Sequence, residues 1–454
     1  MKLCYCTDVE GNIEYFNKYI ALSEGVYYDY NNELELYPGY GFVFGGDVGD
    51  KGFGTLRMYQ LLVNLKKKYP ERVVLIAGNR DVNKMRFTSE LTDLELNLIT
   101  MNPELVNGPL WVPSKSRVSV KDFLCYEILQ IPPEQVTTEM LNKVNTKINR
   151  VKWMLKHTMG SDGDFEKRRI EIAQKTGQTT ISDDAIVDSF IASVLPGGVI
   201  YDYLHLSILG YLHNNTLFVH GGIMNNDGEC SIGHIPGAPM DPTLTIAQWI
   251  YKLNIWYQQQ LKDWLAYPEW TNNHEFRGGE ELQKYGLPNA THSVINGRHL
   301  YPSGMPRLLP SEVTNELWNQ GIHRIIMGHT PHGVSPTIVK QQANNSGVFE
   351  VVMCDTSYSD VTKSDNRGNC AHELLLNEDT VHLRGYINKG DINETFDFKT
   401  HEDKFVGHQV SVNGPWIKLP TQKNSYLLCT VTNGFTYSYQ EIDASTLYTT
   451  FTPQ

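Results

Sequence analysis

Three short apolar runs near the start of the chain each end in a loop of Gly, Asp and Asn. Leu3 to Thr7 reads as a buried strand and runs into Asp8-Val9-Glu10-Gly11-Asn12. Phe42-Val43-Phe44 runs into Gly45-Gly46-Asp47-Val48-Gly49-Asp50-Lys51-Gly52, and Val73 to Ala77 into Gly78-Asn79-Arg80-Asp81. Helical periodicity follows the first two. Ile13, Phe16 and Ile20 share one face; Leu56, Tyr59, Leu62 and Leu65 share another, with Thr55 as the expected N-cap and Pro70 as the stop. Strand, polar loop and helix in repetition predict an α/β fold with ligands at the carboxyl ends of the strands. The unit recurs at Leu217–Val219 before His220-Gly221-Gly222, and at Arg324–Met327 before Gly328-His329-Thr330-Pro331. A further strand, Val348 to Cys354, ends in Asp355-Thr356.

Two long stretches interrupt this framework, at about 87–210 and 223–318. Ile246, Trp249, Leu253 and Trp256 form one stripe of an amphipathic helix, a core-packing pattern rather than a ligand site. Segment 160–181, rich in charge, Gly and Thr, reads as mobile. The tail from 380 carries strand-like runs expected to complete a second sheet. Positions 1–454 are expected to form one domain, with the insertions as a cap or second lobe.

A net charge of −12 disfavours nucleic acid as a partner. The basic run Lys66-Lys67-Lys68 fits a helix C-terminus. Seven cysteines without a CxxC pair predict neither a disulfide framework nor a zinc knuckle. No apolar stretch has the length of a signal peptide core or a bilayer span, so no membrane partner and a cytoplasmic location are expected.

The chemistry lies in five motifs at strand ends: Asp8-x-Glu10, Gly46-Asp47-x-x-Asp50, Gly78-Asn79-x-Asp81, His220-Gly221-Gly222 and Gly328-His329-Thr330-Pro331. Singly, each is more often a turn or a cap. Together they bring carboxylate, amide and imidazole donors from separate strands to one point, a mixed set that suits divalent ions.

In number and order these motifs resemble those of the calcineurin-like metallophosphoesterases: D-x-H, GD-x-x-D, GN-H-D/E, an isolated His before Gly, and GH. The GD-x-x-D-x-G, HGG and GHTP forms are similar to the branch of phosphoprotein phosphatases and diadenosine tetraphosphatases. The resemblance covers roughly a third of the chain and implies a sandwich of two mixed β-sheets flanked by helices. It also implies two divalent ions. Asp8 and Glu10 would hold the first, Asp47 would bridge, and Asn79, His220 and His329 would hold the second. Asp50 and Asp81 would orient their neighbours, and a hydroxide between the ions would attack phosphorus.

Two departures qualify this. Glu10 stands where the family has His, which favours manganese, iron or magnesium over zinc. Arg80 stands where the family has the His that protonates the leaving group, and a guanidinium cannot do that. Arg80 and Lys51 are then expected to bind the substrate phosphate, and His332 is the candidate for a relocated acid. The expected activity is hydrolysis of a phosphomonoester, a phosphoprotein being favoured. A nucleotide or other small phosphate is the alternative, and a non-catalytic phosphate-binding scaffold is the third reading. The retained Asp47, Asn79, His220 and His329 speak against the scaffold, because buried ligands without an ion are an unfavourable cluster of charge.

Overall fold

A computed structural model describes residues 1–344, 347–356, 369–433 and 436–451. Its strands, in chain order, begin with β1 (Lys2–Cys6), β2 (Val26–Tyr28), β3 (Leu34–Leu36), β4 (Tyr40–Phe44), β5 (Val73–Ile76) and β6 (Ser207–Ile208). Then come β7 (Gly210–His213), β8 (Thr216–Val219), β9 (Arg324–Met327), β10 (Thr337–Ala343) and β11 (Gly347–Met353). The chain closes with β12 (Cys370–Asn377), β13 (Thr380–Lys389), β14 (Ile392–Lys399), β15 (Trp416–Pro420), β16 (Ser425–Asn433) and β17 (Thr436–Asp443).

Two mixed sheets form the centre, as the motif pattern implies. The first has the order β14-β13-β12-β1-β4-β5-β6 and the second β10-β11-β9-β8-β7. In the first, β1, β4, β5 and β6 run parallel, and β12 joins β1 antiparallel with Leu3 opposite Leu376. In the second, β8, β9 and β11 are parallel. Alternation along each strand divides the core. Leu3, Tyr5, Val43 and Ile76 meet Phe218, Ile326 and Val352 between the sheets. Cys4, Cys6, Phe42, Phe44, Val73 and Leu75 face the other way, into a larger apolar cluster with the helices. Cys4 and Cys6 are buried, free thiols.

The tail differs from expectation. β13 and β14 extend the first sheet, and β15–β17 form a three-stranded sheet of their own, so the residues after 380 do not complete the second sheet. Alternation marks a strand but not its partner. Here β12 takes the open edge of β1, and β13 and β14 follow by tight hairpins.

The inserted stretches do not build a separate core. Phe87, Trp153, Phe190, Trp249, Tyr257 and Trp264 belong to the larger apolar cluster that covers the outer faces of both sheets. Segment 160–181 is largely the helix Asp164–Thr176, contrary to the mobile stretch its composition predicts. Asp164, Phe165, Arg168 and Glu171 face inward from it. The helix Thr55–Lys68 begins one residue earlier than expected, with Gly54 at the N-cap and no side-chain cap from it. Glu171 supplies one, accepting from Leu56 N at 3.0 Å and Arg57 N at 2.8 Å. Among the described residues no helix is long and apolar enough to cross a membrane.

Candidate metal centre

The loops after β1, β4 and β9 reverse sharply, and the side chains they present sit on unusual backbone. Asp8 (φ 51°), Glu10 (φ 49°), Asp47 (φ 54°) and His329 (φ 67°) are all left-handed. For residues with a Cβ this costs about 1 kcal/mol or more each, so the surroundings must enforce it. They do so by stitching the first two loops together. Asp8 N donates to Gly46 O at 3.0 Å, Glu10 N to Asp47 O at 3.1 Å and Gly11 N to Val48 O at 2.7 Å. Two motif glycines are needed because the ligands press on them. A Cβ on Gly78 would lie 2.2 Å from Asp47 Oδ1, and one on Gly328 would lie 2.0 Å from Asp8 Oδ2.

Asp81 anchors the arrangement from beneath. Its Oδ2 accepts from Asp47 N at 2.9 Å and Gly78 N at 2.8 Å. Its Oδ1 accepts from Val48 N at 3.1 Å and Tyr59 Oη at 2.6 Å. Burial pushes its pKa up to about 6, with the charge of Asp47 adding and these hydrogen bonds opposing.

Above it, Asp47, His220 and His329 bring ligand atoms within 4.8 Å of one another. His220 Nε2 lies 3.1 Å from Asn79 Oδ1 and 3.3 Å from Asp47 Oδ1, and His329 Nδ1 lies 3.0 Å from Asn79 Oδ1. His220 Nδ1 is 2.7 Å from Gly45 O, which can only accept, so this nitrogen carries the proton. Nε2 faces two oxygens, and a proton or a divalent ion at that place would satisfy all three atoms. Burial alone would depress the His220 pKa, yet Asp47 and Asp8 raise it to about 10. The donors of Asp47, Asn79, His220 and His329 therefore fit a divalent ion, and the carbonyl that fixes the His220 tautomer is the usual support of a metal-bound imidazole. Asp8 borders the cluster. Its carboxylate accepts from Thr7 Oγ1 at 2.6 Å and from His329 N at 3.0 and 3.1 Å.

The other half of the site is filled with fixed positive charge. Arg80 Nε lies 2.8 Å from Glu10 Oε1 and 3.6 Å from Asp47 Oδ2, and Arg80 Nη1 lies 3.2 Å from Asp50 Oδ2. Lys51 Nζ is 3.2 Å from Glu10 Oε2, and Lys84 pairs with Asp50 Oδ1. Lys84 is fully buried, and nothing in its sequence context marks it. Burial opposes the charge on Arg80, but Glu10, Asp50 and Asp47 outweigh it and raise its pKa. Arg80 and Lys51 are thus held by carboxylates of the site.

Arg298 is different. It is half-buried, its own pKa is lowered by burial alone, and its charge is the main influence after burial that depresses His329. Its signal in the sequence is only the arginine after Asn296-Gly297, inside an insertion. Arg86, by contrast, is buried against Glu90 at 2.6 Å.

His332 does not join the cluster. It is buried with Nδ1 at 3.2 Å from Thr337 Oγ1 and 3.4 Å from Lys418 Nζ, and its ring stands edge-on to Tyr437. The relocated-acid role expected for it has no support in this geometry.

The first insertion reaches the site directly. Arg80 Nη1 donates to Met159 O at 3.4 Å, and Lys167 Nζ donates to Lys51 O. Burial, then the charge of Asp50, pushes the Asp164 pKa up to about 8.

No family model matches the chain. Over 80 residues it is 34 % identical to the serine/threonine-protein phosphatase 4 catalytic subunit of Kluyveromyces lactis, covering 18 % of this chain and 22 % of that one. Over 82 residues it is 30 % identical to the serine/threonine-protein phosphatase SIT4 of Candida albicans, covering 16 % and 26 %. The chain thus spans about a quarter of the length of these curated relatives. Among solved structures, a serine/threonine phosphatase from Saccharomyces cerevisiae, described as similar to human PP5, aligns with 87 % of this chain and 82 % of its own. The identity is 12 % and the TM-score 0.38. A cold-active protein-tyrosine phosphatase of a Shewanella species aligns with 84 % and 77 % at 13 % identity and a TM-score of 0.36. The local sequence matches and the ordered motifs relate the chain to the calcineurin-like metallophosphoesterases.

Proposed function

We propose that this protein is a metal-dependent phosphatase acting on phosphomonoesters, with a phosphoprotein the favoured substrate. The observation that carries the reading is the convergence of Asp47, Asn79, His220 and His329, which together offer oxygen and nitrogen donors to a divalent ion. A divalent ion held there, with manganese, iron or magnesium favoured, would acidify a water and withdraw charge from the phosphoryl oxygens.

The chain's own residues supply the rest. Asp81 holds the Asp47 loop at two points, Asp47 N and Val48 N, is itself held by Gly78 N and Tyr59 Oη, and so fixes where Asp47 points. Gly45 O fixes the His220 tautomer. Arg298, rather than the carboxylate-bound Arg80 and Lys51, is the cation able to meet a phosphate with a bidentate fork. Arg80 cannot donate a proton and His332 is enclosed elsewhere, so neither of these two candidates protonates a poor leaving group. Aryl phosphates, phosphotyrosine among them, should therefore turn over faster than alkyl ones. The insertion, touching Arg80 and Lys51, would act as the cap that selects the substrate.

One observation favours the scaffold reading: the residue in the family's acid position is locked into carboxylates. The deciding assay is hydrolysis of p-nitrophenyl phosphate by chelator-stripped protein with manganese, iron, magnesium, zinc or nothing restored, beside Asp47→Asn. Metal-dependent turnover that Asp47→Asn abolishes is expected. Ion binding without turnover on aryl phosphates or phosphopeptides would leave the scaffold.

A further inference from the structure

Glu10, Asp8 and the second oxygen of Asp47 are the donors that would hold a first ion beside the His-rich cluster. That place already has a positive charge. The Arg80 guanidinium lies 2.8 Å from Glu10 and 3.6 Å from Asp47 Oδ2 through the same nitrogen. Its backbone N–H also donates to Asp47 Oδ1 at 2.9 Å. On the far side, Glu10 Oε2 has Lys51 Nζ at 3.2 Å. Both oxygens of Glu10 are thus turned to cations of the chain itself. An ion using Glu10 and Asp47 Oδ2 would have to displace Arg80 Nε from both and would sit beside two full positive charges.

The guanidinium is also anchored from behind. Nη1 lies 3.2 Å from Asp50 Oδ2 and donates to Met159 O, while Lys84 takes the other oxygen of Asp50. Asp50 is buried and cannot follow Arg80 outward. The two unusual residues of the motif series, Glu10 and Arg80, are therefore one exchange. Each makes sense only with the other: an anion where a neutral imidazole is usual, and a permanent cation to meet it.

We infer that this chain binds one divalent ion per molecule, at Asp47, Asn79, His220 and His329, and that the Arg80 guanidinium clamped by Glu10 and Asp47 takes the place of a second. The inference rests on the metal-binding reading above and replaces the two-ion expectation drawn from the motif resemblance. A guanidinium supplies charge and hydrogen-bond donors at a fixed place but cannot acidify a water. All acidification then falls to the single ion, and Arg80 serves as a positioning residue for Asp47.

The test counts ions without using activity. Full-length protein is stripped, loaded with Mn²⁺, gel-filtered, and assayed by elemental mass spectrometry and electron paramagnetic resonance. The wild type should hold one Mn²⁺ per chain with the six-line spectrum of an isolated ion. Arg80→Ala should take up a second Mn²⁺ and show exchange coupling, and Arg80→Ala with Glu10→Gln should return to one. Two coupled ions in the wild type would overturn the inference and leave the metal-binding reading standing. One ion in both the wild type and a folded Arg80→Ala would overturn the role given to Arg80. No ion in the wild type would remove both. If Arg80→Ala does not fold, the wild-type count and spectrum still decide between one ion and two.

Discussion

Two buried polar centres in this molecule each contain histidine, and they are opposites. At the ends of β1, β4, β5, β8 and β9, oxygen and nitrogen lone pairs converge with a carbonyl dictating the tautomer of His220. Beneath β10 and β15, Lys418 donates to Ser335 O at 2.9 Å and meets the His332 carbonyl and Thr337 Oγ1. The first centre gathers donors suited to a divalent ion beside the cations that already face it. The second carries its own cation, and its acceptors are already met. His329 is half-buried and His332 buried, both with depressed pKa and three positions apart, yet one belongs to each centre. What a buried histidine does is decided by what its nitrogens face, not by its burial or its neighbours in sequence.

The contrast can be broken most forcefully at Asp47. Asp47→Asn should lower Mn²⁺ affinity more than about a hundredfold, above the range for supporting residues, as read by calorimetry. Asp81→Asn should cost about ten- to a hundredfold in affinity or turnover while circular dichroism stays unchanged, because it loosens the Asp47 loop without touching the ion. At the second centre the readouts reverse. Lys418→Met should leave ion binding intact and destabilise the fold by about 1–3 kcal/mol in urea, since it strips donors from buried carbonyls.

The smallest effect is a pH slope. Burial, then the Lys418 charge, holds the His332 pKa well below its ordinary value, so the folded state keeps this ring neutral. The unfolded chain takes up a proton near pH 6.5. The stability from the neutral ring is therefore complete above pH 6.5 and is lost as pH falls, by up to about 1.4 kcal/mol per unit. His332→Phe should flatten that limb in urea titrations at pH 7.5, 6 and 5 and leave turnover within twofold. A large loss of turnover would return the ring to the reaction.

The donors of the first centre were legible because each sits in a short motif after an apolar run, and strand ends in an α/β sheet converge. What joins them was not. The left-handed backbone at Asp8, Glu10, Asp47 and His329 leaves no compositional trace, as the residues are neither glycine nor asparagine. Arg80 read as a phosphate contact; only the folded geometry pairs it with Glu10, seventy positions away. Lys84 and Glu171 escaped notice for the same reason, since their partners are distant in sequence. In the tail, local alternation gave strands but not sheets, because pairing with β1 is a long-range choice.

Glu171 lies more than a hundred positions from the helix whose first turn it caps, and Gly54 offers no side chain to replace it. The insertion is in this sense no appendage grafted onto a finished fold. A lineage that trimmed it would have to acquire a new cap at Gly54, where Ile13 leaves little room for one. Shortening this chain would thus leave the helix Thr55–Lys68 without its cap, at a cost of about 1 kcal/mol.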